Sequence, residues 1–144
     1  MTTNWSQSET TTHQDHVIAH VVEATPMGYV VVDEVLNVLL DIGFVWTILL
    51  NGEMGLLPHP VAVKELEVDG EAREQIKADI DELLGDNIEN LKQLIRLPEV
   101  GSINSVELFG SEEQHRLLIS CEQGSVEIET SLTNAEIKVK AETA

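Results

Sequence analysis

The hydrophobic pattern changes period along the chain, and each change predicts a different kind of element. From His16 the run HVIAHVVEA is dominated by β-branched residues with little polar punctuation, which predicts a largely buried strand. Pro26 and Gly28 mark a turn, and Tyr29 to Val32 reads as a second short strand. In DEVLNVLLDIG, Asp33, Asn37 and Asp41 recur at every fourth position, with Val35, Leu36, Leu39, Leu40 and Ile42 around the remainder. That spacing predicts a short amphipathic helix ended by Gly43. FVWTILL, Asn51-Gly52 and EMGLL follow as strand, tight turn and strand, because both central residues of a type I′ turn need positive φ.

Pro58 and Pro60 argue against helix or central strand in LPHP, and Val61 to Val68 reads as a further strand. From Glu71 the period becomes 3.6. Ile76, Ile80, Leu83 and Leu84 make an apolar stripe, Arg73, Lys77 and Asp81 an exposed face, and Asp69 or Gly70 a cap. After Gly85, Asp86 and Glu89 have capping-box spacing, and Ile88, Leu91, Leu94 and Ile95 supply a second helix that Pro98 stops. These two segments predict a helical hairpin. The last third has period 2: Val106 and Leu108, then Leu117, Ile119 and Cys121, then Val126 and Ile128, then Ile137 and Val139. Short connections at Gly110–Gln114, Gln123-Gly124 and Thr133-Asn134 make these strands an antiparallel meander, in which Glu127 and Glu129 would oppose Lys138 and Lys140.

The fold class expected is α+β: antiparallel sheets including a C-terminal four-stranded meander, packed with a central helical hairpin and one shorter N-terminal helix. Residues 1–14, rich in Thr, Ser, Gln and Asn, read as a mobile polar tail, and 15–141 as a single domain, with Ala141 to Ala144 fraying.

Charge narrows the partners. The chain has 144 residues, 26 carboxylates against 8 basic side chains and a net charge of -18. No Lys or Arg precedes Lys64; residues 1–63 carry a net charge of -7 and 64–144 one of -11, so neither part is a basic arm. This excludes affinity built on neutralising phosphates or an anionic membrane surface. With 42% hydrophobic residues the chain is too apolar for acidic disorder. Its longest apolar stretch, Val35 to Leu50, is interrupted by Asn37 and Asp41 and falls short of the roughly 20 residues that span a bilayer. A lone cysteine and the lack of a basic leader point to a reducing, cytoplasmic setting.

Candidate chemistry is sparse. In HQDHVIAH, His13, His16 and His20 stand with Asp15 and, farther on, Glu23. A helix would bring His16 and His20 together as zinc ligands, whereas the expected strand holds them about 13 Å apart. No metal site is therefore assigned. Cys121 with His59 or His115 has the residue types of a nucleophile and its base, but its alternation with Leu117 and Ile119 reads as a buried small hydrophobe. Among the carboxylates, Asp33-Glu34 reads as a helix start, Asp79-Asp81-Glu82 as a solvated helical face and Glu112-Glu113 as a loop. Asp41, between Leu40 and Ile42, is the acid to inspect first for burial. No phosphate-binding glycine loop or nucleophile elbow occurs, and five aromatic residues supply little stacking surface for bases.

No catalytic residue or cofactor is assigned. The leading expectation is a non-enzymatic protein-interaction or assembly domain, with a protein partner or self-association through an apolar patch of the 29–63 segment (Tyr29, Phe44, Trp46, Met54, Leu56, Leu57). Against it stands a small enzyme or metal- or ligand-binding domain assembled from dispersed His16, His20, Asp41, His59 and His115. A nucleic-acid mimic built on the acidic stretch Glu65 to Glu89 is the third reading. Direct nucleic-acid binding and membrane association are not expected.

Overall fold

The computed structural model describes residues 6–7, 11–66, 68–85, 91–110 and 113–143. Its elements are β1 (Ser6–Gln7), α1 (Thr12–Val21), β2 (Pro26–Val32), β3 (Val35–Leu40), β4 (Phe44–Leu49), β5 (Met54–Pro58), α2 (His59–Glu65), α3 (Gly70–Leu84), β6 (Ile95–Arg96), β7 (Ile103–Gly110), β8 (Gln114–Cys121), β9 (Gly124–Ser131) and β10 (Glu136–Thr143). They form two antiparallel sheets, ordered β5-β4-β3-β2-β6 and β1-β7-β8-β9-β10. The fold is α+β, and the C-terminal meander is present as β7 to β10.

The first sheet is buried on both faces. One face sets Leu36, Val38, Leu40, Trp46 and Ile48 against Leu117, Ile119, Val126 and Ile128 of the second sheet, with Val17 and Val21 of α1. The other sets Leu39 and Val45 against Ala62 and Val63 of α2, Ile76, Ile80 and Leu83 of α3, and Leu94. A strand covered on both sides has no reason to alternate. Hence Val35 to Leu40 is a strand and not the amphipathic helix its spacing predicts. A polar residue every fourth position fits a strand face as well as a helix face, because four is a multiple of two. Asp33 and Asp41 in fact sit in the turns at either end. The β2–β3 turn holds Asp33 at φ 49° and Glu34 at φ 64°, a left-handed pair without the usual glycine.

His16 to Val21 is the converse case, helix instead of strand. Thr11 accepts from the Gln14 N–H while the Gln14 side chain accepts from the Thr11 N–H, a complete capping box that nucleates α1 within the segment read as tail. That segment also contains β1, paired with Phe109 and Gly110 of β7, while residues 1–5 and 8–10 lie outside the described residues. The short N-terminal helix is thus at 12–21, not 33–42.

Val61 to Val68 is not a strand either. Pro60 stands in the first turn of α2, where no backbone N–H is needed, so the prolines start this helix. Arg73, expected in solvent, donates to the carbonyls of Val63, Leu66 and Val68 and satisfies the end of α2. The helical pair is therefore α2 with α3, capped by Asp69 as expected. Of the expected second helix, 86–90 with the Asp86–Glu89 box lie outside the described residues, and from Leu91 the chain is irregular until β6.

The β4–β5 hairpin is present, but its turn is not the expected type I′: the Gly52 N–H bonds to the Leu49 carbonyl, so Leu50 and Asn51 are central, and Gly52 follows at φ 87° while Asn51 is not at positive φ. In the meander Lys138 lies opposite Glu129 and Lys140 opposite Glu127. The closest ions differ from that register: Glu127 pairs with Arg116 of β8, and Lys140 with Glu142 along its own strand at 3.3 Å.

Candidate functional site

The histidine cluster does not converge. His16 and His20 share one side of α1, but both are exposed, and the His20 ring bonds to the His16 carbonyl through Nδ1 at 2.7 Å. His13 donates Nε2–H to the Met54 carbonyl and fastens α1 to β5. Glu23, at φ 78°, is the left-handed residue that ends the helix. Asp15 lies exposed in the first turn of α1. Among the described residues, no three His, Cys, Asp or Glu side chains are grouped to hold a metal.

Cys121 is buried in the inter-sheet core, and burial pushes its thiol pKa up. His115 lies six positions away on the same strand, about 20 Å distant at 3.3 Å per residue. His59 is at the start of α2, with its N–H donated to Gly43. Asp41 is exposed; its carboxylate accepts from the Thr25 N–H at 2.9 Å and its own N–H returns the bond, joining the ends of β2 and β3.

The carboxylate that tertiary structure singles out is Asp79. It is fully buried, not solvated as expected. Its oxygens accept from the backbone N–H groups of Lys92, Gln93 and Leu94 and from the Gln75 side chain. Burial works to raise its pKa, but the bonds from Leu94, Gln93, Gln75 and Lys92 outweigh it and hold the carboxyl below the ordinary range. One signal was available in the sequence: Asp79 falls three positions after Ile76 and four before Leu83, on the apolar stripe itself.

This clamp shapes a surface. β6 pairs only with Gly28 and Tyr29, and the chain on its N-terminal side is drawn toward α3 by Asp79. Among the described residues, no strand covers the outer side of Val30–Val32. Tyr29, Val31 and Ile95 share one face there, since Ile95 is opposite Tyr29 and Val31 is its diagonal neighbour. Val31 is 44% and Ile95 55% exposed. Most of the 29–63 hydrophobes lie inside: Trp46 and Met54 are buried, and Phe44, Leu56 and Leu57 half-buried.

The opposite face of the same sheet carries a cleft of about 300 Å³ lined by Val32, Asp33, Asn37, Thr47, Glu65 and Leu66, among others. It exists because α2 and α3 cover the Leu39 and Val45 end of that face and leave the Val35 end open. Asn37, Thr47 and Gly55 form a row across β3, β4 and β5. A Cβ at Gly55 would come within 2.9 Å of Thr47 Oγ1, so glycine keeps that row clear. Nothing in the sequence pattern brought Asn37, Thr47 and Glu65 together; only the packing of α2 on the sheet does.

No family model, curated protein or solved structure matches the chain.

Proposed function

We propose that the protein is an acidic, non-enzymatic interaction or assembly domain that binds a protein partner, or a second copy of itself, along the free edge of β2. The observation that carries this reading is the apolar group Tyr29, Val31 and Ile95 beside Val30–Val32, a strand segment with no described strand on its outer side. An extended segment added there would gain main-chain hydrogen bonds from the edge and side-chain burial from the patch. The charge of -18 opposes close approach of two copies and favours a partner with basic flanks, which the same field would steer. The charge and single buried cysteine accord with an intracellular setting.

The test is sedimentation over a wide concentration range at physiological salt, alone and with a basic-flanked β-strand peptide. Concentration-dependent association or peptide binding should be abolished by Val31→Asp. A chain that stays monomeric, ignores the peptide and leaves a hydrophobic dye unbound would overturn the proposal.

A further inference from the structure

We infer that Asp79 is a latch on the β2 edge: while it holds the backbone of 92–94 the edge stays open, and when it lets go the same segment closes that edge as an extension of β6. The functional consequence rests on the edge binding proposed above; the structural one stands without it.

Register identifies the segment. β6 runs antiparallel to β2, with Arg96 opposite Gly28 and Ile95 opposite Tyr29. Continued in the same register, it sets Leu94 opposite Val30 and Gln93 opposite Val31. The Leu97 N–H donates to the Met27 carbonyl at 2.9 Å. Hydrogen-bonded pairs alternate along an antiparallel ladder, so the next ones are Tyr29 with Ile95 and Val31 with Gln93. Among the described residues, no strand meets the outward N–H and C=O of Val31. Their mates in the chain's own register are the C=O and N–H of Gln93.

Asp79 withholds Gln93 from that role. The Gln93 N–H lies 2.6 Å from Asp79 Oδ2, beside those of Leu94 at 2.9 Å and Lys92 at 3.1 Å. Three successive N–H groups converge on one anion only where the backbone curls into a nest. In a strand they point alternately to opposite edges. The clamp and the added rung therefore exclude each other, and one N–H, that of Gln93, is contested between a buried carboxylate and the Val31 carbonyl.

Little else has to change between the two arrangements. Leu94 and Val30 already line the same small apolar pocket against α2 and α3, and residues opposite each other in a ladder share a face, so the Leu94 side chain keeps its burial in both. Gln93 is exposed in the clamp, and in the added rung it joins the face of Ile95 and covers Val31, now 44% exposed. The residue that keeps the patch open is thus Asp79 on α3.

The experiment compares the ¹⁵N-labelled wild type with Asp79→Asn and with Asp79→Asn combined with Gln93→Pro, each shown to be folded by its melt. In Asp79→Asn the Val31 amide should exchange about tenfold or more slowly than in the wild type and show a cross-strand contact to the Gln93 amide. Gln93 itself still exchanges faster than in the buried clamp, because its new rung lies at the sheet edge. Binding of the basic-flanked β-strand peptide should weaken by about the same factor, since only the open fraction binds. Gln93→Pro removes the N–H that closes the edge, so the double variant should regain fast Val31 exchange and wild-type peptide affinity, which relief of mere destabilisation would not achieve. Val31→Cys with Gln93→Cys, made with Asp79 intact, is a second probe that does not depend on the stability of Asp79→Asn. A hydrogen-bonded pair sets its Cα atoms about 5.5 Å apart, within disulfide reach, so oxidised glutathione should join them in the folded chain. Unchanged or faster Val31 exchange in folded Asp79→Asn, no rescue by Gln93→Pro, or a cysteine pair that stays reduced would each overturn the latch. A wild type that ignores the peptide while Val31 closes in Asp79→Asn would support the latch and overturn the edge-binding proposal alone.

Discussion

Asp79 is where a single residue does most to shape the molecule. Its carboxylate occupies a nest of three successive N–H groups that would otherwise be orphans beside a buried helix. Because the folded-state pKa is depressed, its contribution is present above the ordinary carboxylate range and is lost as pH falls through the folded value. Asp79→Asn should therefore cost about 1–3 kcal/mol at pH 7 by urea unfolding, with the deficit shrinking toward pH 3. Amide exchange at Lys92, Gln93 and Leu94 should accelerate in the same variant. Cys121 is the opposite kind of residue, buried with a raised thiol pKa. Its labelling by a thiol reagent at neutral pH should be negligible in the native protein and complete in urea; rapid native labelling would contradict its burial.

At the scale of elements, the β2–β3 hairpin is strained by chemistry that another sequence would avoid. Asp33 and Glu34 both occupy the left-handed region. That costs an L-residue about 1–2 kcal/mol. Glu34→Gly should raise stability by about 0.5–1 kcal/mol in denaturant unfolding, the gain reduced by glycine's freedom in the unfolded chain. Gly28 shows the reverse constraint. A Cβ there would stand 2.9 Å from Leu83 Cδ1 and 3.0 Å from the Ile95 carbonyl, where β2 meets both α3 and β6. Gly28→Ala should destabilise by about 1–3 kcal/mol through overpacking, and a circular-dichroism melt will report it.

For the whole molecule, the two cores share one sheet: β3 contributes Leu36, Val38 and Leu40 to one and Leu39 to the other. Additional ties join the layers, including the Thr130 hydroxyl donated to the Leu50 carbonyl at 2.9 Å. Against this cohesion works the mutual repulsion of a -18 charge. Screening relieves it, so the melting temperature should rise as sodium chloride goes from about 10 to 500 mM, where the Debye length falls from about 30 Å to a few ångströms. A melting temperature that fell with salt would show that attractive pairs such as Arg116–Glu127 outweigh the repulsion.

The sequence by itself determined what local chemistry controls. The period-2 meander, the register of Glu127 and Glu129 against Lys138 and Lys140, the β4–β5 hairpin though not its turn type, the cap at Asp69 and the inward face of Cys121 all follow from alternation, turn residues and caps. Tertiary structure decided the rest. Burial on both faces removes the alternation that identifies a strand, so β3 carries a helix-like spacing; the Thr11–Gln14 capping box of α1 and the first-turn proline of α2, by contrast, are local signals that the β-branched composition around them masks. The same holds for the sites. Asp79 is read as surface until α3 meets the 92–94 backbone, and Asn37, Thr47 and Glu65 face one space only because a helix covers part of a sheet and leaves the remainder open.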